Sequence, residues 1–323
     1  MHGVAGAYAA AGQRDEAIKV SEEVLALKQN LLGAEHRDTL AAMQSLAKSC
    51  ADAGRMAEAI KLQGEALEIS RKVNSPEHHD TLTAMSNLGS FYHVAGRNDE
   101  ALKLREEVLA LSRTRYPEHP GTLTAMTDLA ISYGRTGQPK EALKMREEVL
   151  PLSRKFKGPE HPGTLGAMTN LAISYGAAGR LPEAIKLQEQ SLAIKRRVLP
   201  PSHPYFAAAL QNMANLYEKD GRKNETLNIR EESLALSRRV KGAEHPDTLN
   251  AMTSLVVSHD AAGRLAEAIE LQEEALAITR RTLPRNQQYL AVALGNLAEL
   301  YGKDGRKKEA AALLKELSDQ KNP

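Results

Sequence analysis

A chain of 323 residues with 42% hydrophobic content can bury a continuous core, and its length alone would allow two ordinary domains. The 43 Lys and Arg against 41 Asp and Glu leave a net charge of +2, which excludes a general binder of nucleic acid or anionic membrane and makes any electrostatic specificity local. Cys50 is the only cysteine, so an intramolecular disulfide framework is excluded; with no signal-like start and no run of roughly 18 apolar residues, a soluble cytoplasmic protein is expected.

The chain repeats one segment. The loop residues His36, His78, His119, His161, His203 and His245, with Gln287 in the same place last, are spaced by 42, 41, 42, 42, 42 and 42. Gly12, Gly54, Gly96, Gly137, Gly179, Gly221, Gly263 and Gly305 repeat the pattern at 42, 42, 41, 42, 42, 42 and 42. His78 to Gly96 and His119 to Gly137 both span 18 residues, so the missing residue falls after Gly96, in the loop near Tyr116 and Pro117, where a surface connection absorbs it.

In chain order, a partial first repeat occupies residues 1–32 and seven repeats follow from about 33 to 318. Met1 aligns with Met43, Met85, Met126, Met168 and Met252, so the chain begins halfway along a helix. The segment Gly158–Arg197 serves as the template. Leu165, Met168, Leu171, Ala172 and Tyr175 recur at helical spacing, which predicts an amphipathic first helix opened by Pro162 and broken at Gly179. A second helix is predicted from near Leu181, with Ala184, Ile185, Leu187, Leu192 and Ile194 inward and Lys195, Arg196 and Arg197 at its C-terminal end, where positive charge suits the dipole. The tail of the last second helix, around Lys307 to Leu317, runs into SDQKNP. One such hairpin cannot cover its own apolar stripe, whereas stacked hairpins bury a continuous core. One elongated array across 1–323 is the expected architecture.

The series Met168, Leu171, Ala172, Tyr175, Gly179 and Ala184 resembles the tetratricopeptide repeat, with Met in place of its first Trp and Ala in place of the following Gly. The period of 42, the EHPDTL before the first helix and the NLA followed by Tyr resemble the kinesin-light-chain type of that repeat. The resemblance implies an all-α, right-handed superhelical solenoid of antiparallel helix pairs. A systematic departure is that Gln63, Arg105, Arg146, Gln188, Arg230 and Gln272 stand where the usual repeat puts an aromatic residue in its second helix. An Ala-rich array of this kind looks most like the bacterial kinesin light chains, whose family association is with bacterial tubulins.

The residues themselves favour no chemistry. A two-helix repeat advances on the order of 20 Å, because packed helices lie roughly 8 to 10 Å apart. The repeated histidines therefore cannot converge on one metal ion at about 2 Å, and a loop-packing role is expected. Glu106 with Glu107, Glu147 with Glu148, Glu231 with Glu232 and Glu273 with Glu274 read as solvated charge on second helices, not as acid/base pairs. Arg196-Arg197, Arg238-Arg239 and Arg280-Arg281 read as dipole-complementing helix ends, and aromatics for stacking bases are few. Cys50 takes the place of the Tyr of most repeats and reads as a core filler. No catalytic residue, cofactor or metal is expected, nor a nucleic-acid or membrane partner.

What remains is the first helix of each hairpin. Ser45, Asn87, Asp128, Asn170, Asn212, Ser254 and Asn296 form a column of short polar groups. The resemblance implies that such a column hydrogen-bonds the backbone of an extended peptide, and an amide suits this because it both donates and accepts. One turn on lie Lys48, Ser90, Ile131, Ile173, Asn215, Val257 and Glu299, then His93, Arg135, Lys219, Asp260 and Lys303. An apolar strip with flanking charge suits an anchor side chain. The candidate groove is thus Lys48, Asn87, Ser90, His93, Asp128, Ile131, Arg135, Asn170, Ile173, Asn212, Asn215 and Lys219. Two partners are open: a bacterial tubulin polymer bound by a scaffold, or an extended peptide bound by an adaptor or sensor array.

Overall fold

Each first helix begins at a histidine. His161 has extended backbone angles and its Nδ1 accepts the amide N–H of Gly163 at 2.9 Å, with Pro162 filling the first helical position. The same N-cap recurs at His36, His78, His119, His203 and His245 with distances of 3.0–3.2 Å. The repeated histidine is therefore a helix-starting device, which satisfies one of the donors a helix N-terminus leaves open. Gly179, at φ 77°, ends the template's first helix in the left-handed region that Gly reaches without a Cβ penalty.

The computed structural model describes residues 8, 11–200, 202–282 and 287–321. Among them all regular structure is helical. The chain divides into two units, Met1–Gly158 and Pro159–Pro323. The first holds α1 (Arg14–Leu32), α2 (Arg37–Asp52), α3 (Met56–Val73), α4 (His79–Val94), α5 (Asn98–Arg115), α6 (Pro120–Arg135) and α7 (Pro139–Lys157). The second holds α8 (Pro162–Ala177), α9 (Leu181–Val198), α10 (Pro204–Lys219), α11 (Lys223–Lys241), α12 (Pro246–Ala261), α13 (Leu265–Arg281), α14 (Gln287–Lys303) and α15 (Lys307–Lys321). Within each unit every helix packs on the next in sequence, so the units are stacks of antiparallel helix pairs. The alignment of Met1 with mid-helix methionines lies outside the described residues.

The template boundaries match the apolar periodicity. Leu165, Met168, Leu171 and Ala172 of α8 are at most 3% exposed, as are Ala184 and Leu192 of α9. Each buried Leu or Met stabilises the stack by about 1.5–3 kcal/mol relative to exposure. The short repeat loses its residue at the end of α5. Tyr116 then occupies the loop position of Gly33 and Gly242, and all three carbonyls accept a threonine hydroxyl, from Thr122 at 2.5 Å, Thr39 at 2.8 Å and Thr248 at 2.7 Å.

The second helices are joined along their solvent side by arginine and glutamate. Arg71–Glu107 and Arg113–Glu148 in the first unit, and Arg196–Glu232, Arg238–Glu274 and Arg280–Glu316 in the second, are 2.5–2.7 Å apart. Arg197 and Arg281 turn the other way, to Glu160 and Glu244 on the loops. These basic helix ends thus do more than complement dipoles: Arg196, Arg238 and Arg280 meet a carboxylate of the following hairpin, and Arg197 and Arg281 one at the loop that opens their own. The turn between the helices has its own device. Arg97, Arg180, Arg222 and Arg306 lie over the rings of Tyr92, Tyr175, Tyr217 and Tyr301 at 3.7–4.4 Å. Each also pairs with a glutamate three residues on.

Candidate functional site

The positions where an aromatic was replaced organise the contact between hairpins. Gln63, Gln188 and Gln272 are 0%, 0% and 1% exposed. Their Nε2 groups donate to the backbone carbonyls of Ala84, Ala209 and Ala293 on the next first helix at 3.0–3.1 Å. Arg105 and Arg230 reach one turn further. Arg105 Nη1 donates to the Asp128 carbonyl at 3.0 Å and to Ser132 Oγ at 2.8 Å. Arg230 Nη1 meets the Ser254 carbonyl and Ser258 Oγ, both at 2.5 Å, and its Nη2 pairs with Glu218 at 2.7 Å. The two arginines thereby bond the backbone of Asp128 and Ser254, two residues of the polar column. The sequence marked them as departures; their polarity opposite a backbone carbonyl was the signal that they bridge repeats.

In the first unit the structure brings His93, Asp128 and Arg135 into one electrostatic group around Arg105. Burial, with the Arg105 and Arg135 charges, pushes His93 below the usual imidazole range, and Asp128 partly offsets this. Burial pushes the Asp128 carboxyl up, opposed by Arg105 and His93. His93 Nδ1 is buried without a hydrogen-bond partner. Ile131 and Asp128 are half-buried and Arg135 is exposed. Asn87 is half-buried and its Nδ2 reaches Gln44 Oε1 of the preceding first helix at 3.5 Å, while Ser90 bonds the Ser86 carbonyl at 3.0 Å. Lys48 is exposed on α2, four helices before α6 in the order of packing.

In the second unit Asn170 and Asn212 are half-buried, and Asn215 and Lys219 are exposed. Ile173 and Val257 are 50% and 51% exposed, two uncovered aliphatic side chains on α8 and α12. Asn215 on α10, between them in chain order, accepts a hydrogen bond from Gln211 at 2.9 Å. A cavity of about 380 Å³ lies between α10, α11 and α12, lined among others by Ala207, Gln211, Arg230, Ser233, Asn250 and Ser254. Its origin is in the sequence. Ala207 replaces the leucine found at Leu40, Leu82, Leu123, Leu165 and Leu249, and Ser233, like Ala66, Ser191 and Ala275 at the same place, is smaller than Val108 and Val149. Sequence periodicity located the column but not this cavity, because two small residues on different helices open it together.

Other candidates resolve as structural. Cys50 is fully buried in the core of the first unit and burial pushes its thiol up, which keeps it unreactive. The acidic pairs, exposed or half-buried, are engaged: Glu107, Glu148, Glu232 and Glu274 in the arginine ladder, and Glu106 and Glu273, like the single Glu189, as acceptors for Tyr133, Tyr301 and Tyr217 at 2.7–3.1 Å. Among the described residues no three His, Cys, Asp or Glu side chains are grouped to hold a metal, and no helix is long and apolar enough to cross a membrane.

Comparison with known proteins agrees with this geometry. No curated protein matches the chain. The solved structure of a Podospora anserina kinesin-light-chain candidate with nearly identical TPR-like repeats is 32% identical, with a TM-score of 0.59 over 64% of this chain and 99% of that one. BtubC (BKLC) of P. vanneervenii is 19% identical, with a TM-score of 0.63 over 72% of this chain and 94% of that one. A signal transduction ATPase with numerous domains from Pyrococcus horikoshii, which has a tetratricopeptide repeat sensor, is 15% identical, with a TM-score of 0.68 over 88% of this chain and 42% of that one. At the last two identities the likeness is one of fold. The tetratricopeptide repeat signature matches residues 1–72, 40–93, 80–155, 135–197, 205–281 and 259–321, and the chain belongs to the tetratricopeptide repeat family.

Proposed function

We propose that the protein is a non-catalytic scaffold of the kinesin-light-chain type that captures an extended segment of a partner protein on its first helices. The observation that carries this reading is the cavity lined by Ala207 and Ser233 between α10, α11 and α12, with the exposed Val257 one turn beyond the lining residue Ser254 on α12. An uncovered aliphatic side chain offers area for an anchor side chain, and the amide and hydroxyl groups of Gln211, Asn250 and Ser254 offer donors and acceptors to a peptide backbone. The half-buried Asn170 and Asn212 extend the same polar column, and Asp128, His93 and Arg135 would do so in the first unit.

The test is a selection of random twelve-residue peptides displayed on phage against the full chain, followed by affinity measurement on variants. Ala207→Leu restores the leucine of the other repeats and fills the cavity without removing any buried group. The reading expects Ala207→Leu and Asn212→Ala each to weaken the selected peptides about tenfold or more while the melting temperature holds or rises. Peptides that bind both variants at parental affinity overturn it. The kinesin-light-chain character of the repeats, supported by the 32% identity to the Podospora structure, adds a second partner class to the test, a bacterial tubulin polymer. Co-sedimentation decides it: the chain pelleting with polymer supports that partner, and a chain left in the supernatant removes it.

A further inference from the structure

The turn tyrosine is missing from the hairpin α12–α13. Where Tyr217 and Tyr301 bond Glu189 and Glu273 through their hydroxyls and lie under Arg222 and Arg306, this hairpin has His259 with Glu231 and Arg264. The shorter imidazole leaves Glu231 without a phenol donor, its nearest cation being Arg264 Nη1 at 3.8 Å. A cavity of about 390 Å³ results between α11, α12 and α13, on the side of the second helices and away from the first-helix face. His259 lines it, is 6% exposed, and its Nδ1 has no hydrogen-bond partner.

The walls are of two kinds. Leu234, Leu255 and Leu271 form the apolar part. Glu231, Glu267, Glu270 and Glu274 stand around it against Arg238 and Arg264. Arg238 is held by Glu274 at 2.6 Å, and Arg264 is shared between Glu267 at 2.9 Å and Glu231 at 3.8 Å, so four carboxylates face two guanidinium groups and the lining keeps a net negative charge. An aliphatic floor ringed by four carboxylates against two guanidinium groups is complementary to a cation on a hydrocarbon stem. Metal is a poorer fit, since no three ligand side chains are grouped among the described residues.

We infer that this cavity is a second binding site, distinct from the first-helix face, for a basic side chain of a protein partner, with the stem against Leu234, Leu255 and Leu271 and the charged head between Glu231 and Glu270. It is independent of the proposed groove, because its residues lie on the other side of the hairpins.

The experiment titrates the full chain with N-acetyl-lysine methylamide, N-acetyl-arginine methylamide and N-acetyl-norleucine methylamide at constant ionic strength, following the His259 imidazole resonances by NMR. A parallel arm uses spermidine. Saturable shifts with the lysine or arginine probe, absent with norleucine, are expected. His259→Tyr rebuilds the tyrosine turn of the neighbouring hairpins, so it should hold or raise the melting temperature, and in calorimetry it should reduce probe affinity at least tenfold. Glu270→Gln, at a residue engaged in no core contact, should reduce it about threefold or more. No saturable shift with either basic probe, equal response to norleucine, a response to spermidine alone, or undiminished calorimetric affinity in His259→Tyr would each overturn the inference.

Discussion

Replacing Gln188 separates what a buried amide adds from what its shape adds. The side chain is fully buried, its Nε2 donates to the Ala209 carbonyl at 3.1 Å, and its Oε1 has no partner. Gln188→Leu gives up that hydrogen bond, about 0.5–1.5 kcal/mol, but also removes an unsatisfied buried acceptor that costs about 1–3 kcal/mol. The Ala209 carbonyl loses little, because a carbonyl inside α10 also serves the helix ladder. The two contributions nearly cancel, so Gln188→Leu should lie within about 1 kcal/mol of the parent and on the stabilising side if it repacks well. Gln188→Ala loses the bond and leaves a void, at a cost of about 2–4 kcal/mol. Urea unfolding followed by far-ultraviolet circular dichroism, with equal slopes for the three proteins, measures the difference. If Gln188→Leu is as costly as Gln188→Ala, the amide bridge holds the repeats together far more strongly than one buried hydrogen bond of about 0.5–1.5 kcal/mol can.

Further outcomes follow from the same geometry. His161→Ala, which removes an N-cap acceptor, should cost about 1 kcal/mol, while His161→Asn should recover most of it; thermal unfolding reads both. Arg196→Ala breaks one rung of an exposed ladder, with the partners 47% and 34% exposed, and should cost no more than about 0.5 kcal/mol, less at high salt. Acid should destabilise the fold through His93 and His259. Burial holds both below the ordinary value of 6.5, so the unfolded chain takes up their protons first. Their stabilisation is complete above that value and is lost as pH falls through the folded values. Asp128, pushed up by burial, acts in the opposite sense: its contribution is present at low pH and lost as pH rises through its raised value. His259→Tyr should therefore flatten the fall in stability below pH 6.5, measured by melting at stepped pH.

Much of the fold is legible in the sequence because its signals repeat. The period fixes the loops, Pro162 and Gly179 bound a helix, and Leu165, Met168 and Leu171 mark its buried stripe. The histidine's task was not legible, since an N-cap depends on backbone angles that a loop sequence does not display and His is outside the usual Ser, Thr, Asp and Asn set. Nor was the arginine ladder, whose partners stand 35 or 36 residues apart and look like ordinary solvated charge one repeat at a time. The polar column on the first helices was readable as a pattern. The cavities beside Ala207 and His259 were not, because each arises where one repeat departs from the others and the neighbouring helices decide whether the space closes.

The first helices of the second unit are the face proposed to take a partner. Hydrogen exchange on the full chain, with and without a saturating phage-selected peptide, tests that most directly. Protection is predicted on α8, α10 and α12, around Ile173, Asn212 and Ser254, and lost in Ala207→Leu. Protection confined to α9, α11 and α13 would contradict it.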